Sequence, residues 1–288
     1  MSFKKNQMKA AIKKIIKLLL LKFVEIVRNT RGGRYLFHQI VNSAMDNVTM
    51  VSHQGVVFKF PAPNLLCLFR VETFSTKEPE TLEWIDKIPE GSILWDVGAN
   101  VGLYSVYAAK KRKCKVWAFE PSVFNLELLA RGVFLNDVTE KVCIVPFALS
   151  NKLESSELHM TTTEWGGACS TFGKDYGYDG KKLNEIFKFR TVGMTMVDAV
   201  EKMAIPQPDY IKMDVDGIEH LILKAGAEVL REVKGILVEV NDDFKELSDE
   251  CQAVLSDAGM VLRHKLHSEM FDNSLAYGRL YNQIWVRP

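Results

Sequence analysis

From residue 92 onward the chain alternates between two hydrophobic periods. The short apolar runs "SILWDV", "CKVWAFE", "VCIVPFA", "DYIKMDV" and "GILVEV" read as strands. The stretches at about 102–112, 122–136, 195–203, 217–232 and 243–258 carry the spacing of amphipathic helices. Two further strand-like runs, "MVLRHKL" and "NQIWVRP", close the chain. Apolar strands alternating with helices predict a parallel sheet covered on both faces. The final strand pair predicts an antiparallel hairpin at the end of a doubly wound α/β domain, residues 92–288.

Residues 31–91 read as a preamble of short strands, turns and a helix. "GVVFKFPAPN" and "LCLFRVETF" have strand character, and "KEPETLEWIDKIPEG" reads as a helix closed by Pro89 and Gly91. Residues 151–194 break the alternation: they lack a helical period and are rich in Thr, Gly, Ser and Tyr. An insertion of that length at the ligand edge of a sheet is expected to form a substrate loop or lid, with a dimer contact or disorder as the bland alternative.

The first 30 residues form a basic amphipathic helix. Ile12, Ile15, Ile16, Leu19, Leu20, Phe23, Val24, Ile26 and Val27 fall on one side, and most of the charge falls on the other. No uncharged run is long enough for a membrane span or a signal peptide. Such a helix packs on its own domain, packs on a second copy in a homodimer, or lies on an anionic membrane surface. The tail holds eight Lys or Arg against one acid, which leaves 29 basic and 35 acidic residues in the remainder. The overall net charge of +1 gives no case for a nucleic-acid partner. The five cysteines, Cys67, Cys114, Cys143, Cys169 and Cys251, contain no CxxC pair. Cys67, Cys114 and Cys143 sit in or beside apolar runs and read as reduced core residues of a cytoplasmic protein, placed at the inner face of a membrane if the tail binds lipid. His264 and His267 would face opposite sides of a strand and make a poor metal pair.

The chemistry concentrates at "DVGANVG", where the first strand of the alternating part gives way to a helix. Gly98 permits a backbone turn with positive φ, and Gly102 permits a close helix start. The spacing lacks the GxGxxG that a dinucleotide pyrophosphate needs, and GxxxxGK[ST] is absent too. Glu120 ends the next strand, 22 residues after Gly98. A carboxylate there accepts hydrogen bonds from a ribose diol. A nucleoside with an anionic end and no required pyrophosphate fits, and S-adenosylmethionine is such a molecule.

"DVGANVGLYS", "FEPSVFNLELL", "VPFALS", "IKMDVDGIEHLIL" and "ILVEV", with "KEPETLEWI" upstream, together resemble the FkbM family of S-adenosylmethionine-dependent methyltransferases over about residues 75–285. The resemblance implies a class I methyltransferase fold, a Rossmann-like seven-stranded sheet with the last strand antiparallel. It implies O-methylation of a small-molecule or glycan acceptor, a sugar or secondary metabolite, with S-adenosylhomocysteine as product. By position, Asp96, Gly98, Asn100 and Gly102 would frame the methionine end. Glu120 would hold the ribose with Ser122 and Asn125 nearby, and Phe147 and Ala148 would pass the adenine. Asp214 would face the methyl group. Gly132 stands where the family pattern has Asn, and Asp216 replaces a commoner Glu.

Deprotonating an alcohol acceptor calls for a base. Asp214, Asp216, Glu219, His220 and Glu239 are candidates, with Asp214 foremost because an acid ending an apolar strand needs a reason. Asp216 and Glu219 also suit a helix entry, and His220 suits a helix surface. Asp214, Glu239 and Asn241 offer an alternative Mg²⁺ set. Two rival functions are a non-catalytic scaffold that keeps the cofactor pocket, and a nicotinamide-dependent dehydrogenase, which the missing GxGxxG disfavours. The acceptor pocket is expected to draw on the preamble, the 151–194 insertion and the 268–280 loop.

Overall fold

A computed structural model of the chain describes residues 2–267, 270, 274 and 277–288. It divides into two units, Met1–Asn47 and Val48–Pro288. In the first, α1 (Ser2–Arg28) is followed by α2 (Arg31–Met45). The Thr30 side chain caps α2 by accepting from Gly33 N at 3.0 Å. A Cβ on Gly33 would stand 1.8 Å from the Val27 carbonyl oxygen, so the two helix ends meet this closely only with glycine there. Residues 31–45 are therefore helical where the sequence reading expects short strands and turns. Among the described residues no helix is long and apolar enough to cross a membrane.

The second unit opens with the antiparallel hairpin β1 (Val48–His53) and β2 (Val56–Pro61). Its turn residues Gln54 and Gly55 both have positive φ, as tight hairpin turns require. Next come α3 (Leu65–Glu72) and α4 (Pro79–Lys87). The run "LCLFRVETF" is thus mostly a helix and not the expected strand. The Asn64 side chain accepts from Cys67 N at 2.8 Å, and the buried Cys67 and Val71 stand four residues apart on one face. That cap and helical spacing outweigh the β-branched and aromatic content of the run.

The alternating part follows in chain order as β3 (Ile93–Val97), α5 (Leu103–Lys111), β4 (Lys115–Phe119), α6 (Val123–Leu135) and β5 (Val142–Val145). Next come β6 (Ala148–Leu149) and, within the expected insertion at 151–194, β7 (Glu154–Met160), β8 (Ser170–Phe172) and β9 (Phe187–Met194). The chain continues with α7 (Met196–Glu201), β10 (Tyr210–Met213), α8 (Glu219–Ala225), α9 (Ala227–Leu230), β11 (Gly235–Asn241), α10 (Lys245–Asp257), β12 (Val261–Leu266) and β13 (Leu280–Val286). The helix expected over 217–232 divides at Gly226, where a Cβ would stand 2.0 Å from Met196 Cε.

Seven strands form one sheet in the order β12-β13-β11-β10-β3-β4-β5. All pairs are parallel except those of β13, the last strand, which runs antiparallel to β11 and β12. The chain moves outward through β4 and β5, then returns to place β10 on the other side of β3. Strand order therefore reverses between β3 and β10. The three strands of the insertion join β6 in a second, four-stranded sheet, β6-β9-β7-β8.

Strand alternation builds the core on both faces of the large sheet. Trp95, Val97, Phe119, Ile211, Met213, Ile236 and Val238 pack in one apolar cluster. Leu94, Val116, Ala118 and Leu237 pack in the other with residues of α4 and α5. The same alternation places Asp96, Lys212 and Glu239 on the second face, with Lys212 in register with both Asp96 and Leu237. All five cysteines are free; Cys143 is exposed, contrary to its reading as a core residue.

Candidate active site

A cavity of about 430 Å³ opens at the carboxyl ends of β3 and β10, the point of strand reversal. The turn after β3 decides its floor. Asp214 N donates to the Val97 carbonyl at 2.9 Å, and the amides of Gly98 and Ala99 both donate to the Phe119 carbonyl at 3.0 Å. Gly98 has φ +80°, and a Cβ there would stand 1.8 Å from the Asp214 carbonyl oxygen. Only glycine lets the two strand ends approach this closely.

Toward β4 and β5 the wall carries Asn100, Glu120, Asn125, Phe147, Ala148 and Leu149. Glu120 is 5% exposed. Its Oε2 accepts from Asn100 N at 2.7 Å and its Oε1 from Ser122 N at 2.8 Å, with Asn125 Nδ2 farther away at 3.4 Å. Burial pushes its carboxyl up to about 7 against those hydrogen bonds. A strap from the insertion crosses this end: Asn100 Nδ2 and Asn125 Nδ2 both donate to the Gly167 carbonyl, at 2.8 and 3.2 Å. Arg70 Nε donates to the neighbouring Gly166 carbonyl at 2.8 Å.

Toward β10, β11 and β13 the wall is ionic. Lys212, 3% exposed, lies 3.3 Å from Asp214 Oδ2 and 3.8 Å from Asp96 Oδ1, with its Nζ 5.3 Å from the Tyr104 ring centre. Burial alone would lower its pKa, but Asp214, Asp96 and Glu78 hold it above the ordinary lysine value. Lys77 pairs with Glu78 at 2.5 Å. Burial pushes Glu78 up, yet Lys77 and Lys212 outweigh it and bring the carboxyl down to about 2. Glu239 is raised well above the usual carboxylate range by burial, then by Asp214 and Glu78. Glu80 accepts from Asn282 Nδ2 at 2.8 Å.

Of the residues singled out from sequence, Gly98, Asn100, Glu120, Asn125, Phe147, Ala148, Asp214, Asp216 and Glu239 line the cavity. Asp216 also fastens the insertion: its Oδ2 accepts from the amides of Cys169 and Ser170 at 2.8 and 3.2 Å. Asp96 lies beneath the wall, 1% exposed, and accepts from Ser105 Oγ at 2.5 Å. Gly102 serves packing, since a Cβ there would stand 2.2 Å from Leu129 Cδ1. Ser122 contributes its amide to Glu120 and not its hydroxyl to the cavity.

Glu219 accepts from the amides of Val215 and Gly217 at 3.0 Å each, the helix-entry role, and burial raises it to about 8. His220 is fully buried against Phe244, 5.9 Å between ring centres, and does not reach the wall, so it leaves the list of bases. Asn241 turns to accept from Asp243 N at 3.0 Å. Among the described residues no group of three or more His, Cys, Asp or Glu is arranged to hold a metal. Part of the expected 268–280 loop, residues 268, 269, 271–273, 275 and 276, lies outside the described residues; Tyr277 and Leu280 are on the wall.

Sequence reasoning missed Arg70, Lys77, Glu78, Tyr104, Lys212, Tyr178, Tyr277 and Asn282, all on the wall. One signal was available: a lysine inside the apolar run "YIKMDV" needs a counter-charge.

The methyltransferase FkbM domain model matches residues 96–273. The hexuronic acid methyltransferase AglP of Haloferax volcanii is 21% identical over 199 residues, which span 65% of this chain and 72% of that protein. The methyltransferase sdnD of Sordaria araneosa is 25% identical over 202 residues, 61% of this chain and 76% of that one. The crystal structure of a precorrin-6y methyltransferase from Geobacter metallireducens is 12% identical with a TM-score of 0.43, and the match covers 72% of this chain and 85% of that one.

Proposed function

The chain belongs to the FkbM methyltransferase family and has a class I methyltransferase fold; from that premise we propose that it is an S-adenosylmethionine-dependent O-methyltransferase acting on a hydroxyl of a sugar, glycan or secondary metabolite. The observation that carries the cofactor assignment is Glu120. Each of its oxygens holds one backbone amide, fixing the carboxylate while leaving further lone pairs for the two hydroxyls of a ribose. The cavity volume suits a small-molecule site of this kind.

The amides of residues 98–102 are spent within the turn, on Phe119 and on Glu120, so what the start of α5 brings to the methionine end is its N-terminus at Leu103 and Tyr104, which line the cavity. Phe147, Ala148 and Leu149 supply apolar surface for the adenine. The bound cofactor would supply an electrophilic methyl group on a sulfonium. This chain's own residues position the acceptor and receive its proton. Asp214, its side chain 30% exposed and held by Lys212 at 3.3 Å, is the group placed to orient the hydroxyl and accept that proton. The name of the Haloferax relative supports a sugar acceptor.

Calorimetry with S-adenosylmethionine, S-adenosylhomocysteine and NAD in parallel tests the reading. The first two are expected to bind and NAD is not. Binding of NAD alone, or of none of the three, overturns it.

A further inference from the structure

We propose that the first unit, α1 with α2, is a docking surface for an anionic lipid bilayer: the apolar face of α1 enters the boundary between headgroups and acyl chains, and its lysines engage the lipid phosphates.

α1 presents an apolar face to solvent. Ile12, Ile15, Ile16, Leu19, Phe23 and Ile26 share one side of the helix and are 47–67% exposed. Leu20 and Val24 widen the same side and are exposed as well. A contiguous apolar face of this kind is driven out of water onto a partner. Of the three partners open to such a helix, its own domain, a second copy and a membrane, these exposures leave the last two.

Width and charge choose between them. A two-stranded coil buries a narrow seam of alternating three- and four-residue spacings and flanks it with charges of both signs. Positions 12, 16, 19, 23 and 26 have that spacing, but Ile15, Leu20 and Val27 occupy the flanking positions where a coil carries charge. Leu18 and Leu21, also exposed, fall outside any single seam. The polar side supplies one sign: Lys14, Lys17, Lys22 and Arg28 are exposed, and Glu25 is the only acid of α1. Two copies of α1 set face to face would crowd cations together. An acyl-chain boundary accepts a face of any width, and lysine stems lie along apolar surface while their ammonium groups rise to the phosphates.

The charge of the chain is segregated to match. Residues 1–47 hold ten Lys or Arg against two acids, net +8, while residues 48–288 hold 27 against 34, net −7. The excess cations thus sit in the unit that carries the open apolar face, and each basic residue near an anionic surface adds to the attraction. α2 repeats the arrangement on a smaller scale: Leu36, Ile40 and Val41 are exposed on one side, and Arg31 and Arg34 are exposed in its first turn. Among the described residues no helix is long and apolar enough to span a bilayer, so the contact is with one leaflet.

Sedimentation of the full chain with extruded vesicles tests this. Vesicles of phosphatidylcholine alone are compared with vesicles in which phosphatidylserine makes up about a third of the lipid, with light scattering of the free protein alongside. The anionic vesicles are expected to bind the chain at least tenfold more tightly, and raising salt to about 0.5 M is expected to weaken that binding at least fivefold. Leu19→Glu/Phe23→Glu, which puts carboxylates in the apolar face, is expected to weaken it at least tenfold. Lys14→Gln/Lys17→Gln/Lys22→Gln, which leaves that face intact, is expected to do the same. All five side chains are exposed, so helix content by circular dichroism and Tm are expected to match wild type in both variants. The inference is overturned if the chain binds neither vesicle, binds both alike, or binds anionic vesicles undiminished with either set of substitutions. A free protein that is dimeric, ignores both vesicles and becomes monomeric with Leu19→Glu/Phe23→Glu would give the face to a second copy instead.

Discussion

Replacing Glu120 with alanine separates its two roles, because cofactor binding and folding respond to it with different pH dependence. In the ionised state Glu120 would accept two hydroxyl hydrogen bonds from the ribose, each worth about 1.5–3 kcal/mol when charge-assisted. Taking the low end for both, Glu120→Ala loses about 3 kcal/mol of binding, or about 100-fold in Kd for S-adenosylmethionine. Folding behaves otherwise. The folded protein raises this carboxyl from 4.5 to about 7, so Glu120 is harder to ionise folded than unfolded. Its contribution to stability is complete below pH 4.5 and is lost as pH rises through about 7. The shift corresponds to roughly 3 kcal/mol. The mutant lacks this dependence. E120A should therefore be most destabilised relative to wild type near pH 4.5, and that difference should narrow by roughly 3 kcal/mol by about pH 8. Denaturant melts of both proteins across this range measure it, with calorimetry for the cofactor. A folded E120A whose Kd for S-adenosylmethionine stays within about threefold of wild type would refute the ribose assignment. A pH-independent stability difference would refute the burial argument.

For Asp214→Asn, cofactor affinity should persist while kcat falls about 10²–10⁴-fold, measured with labelled cofactor on an accepted sugar; undiminished turnover removes Asp214 as the base. Lys212→Met leaves Asp96, 1% exposed, without its counter-charge and should cost about 3–5 kcal/mol in a denaturant melt, with Lys212→Met/Asp96→Asn recovering part of it. Gly98→Ala forces a Cβ toward the Asp214 carbonyl at φ +80° and should cost about 2–4 kcal/mol together with cofactor binding, seen as a lowered Tm and silent calorimetry. Cofactor affinity of the wild type should weaken as pH falls below about 7, because protonated Glu120 gives up an acceptor site; flat affinity from about pH 8 to 5 would contradict that assignment.

The sequence by itself determined the strands and helices of the large sheet and the turn at which the cavity opens. Strand and helix periods differ enough over 92–288 to tell strand runs from helix runs, and Gly98 and Glu120 are legible because a tight turn and a strand-end acid are local requirements. Runs whose local signals compete were harder to read. "LCLFRVETF" has strand composition, yet one Asn64 cap and a buried Cys67–Val71 face make it helical. Tertiary structure alone decided where each of the clustered candidates points. Asp214, Asp216, Glu219 and His220 lie within seven residues, but the turn at Asp216, with φ +61°, sends Asp214 to the cavity, Asp216 to the insertion, Glu219 to its own helix entry and His220 against Phe244. The ionic half of the cavity was equally hidden, because Lys77, Lys212, Glu239 and Tyr277 come from four separate parts of the chain. Their meeting follows from the crossover that sets β10 beside β3, a long-range pairing that no local pattern encodes.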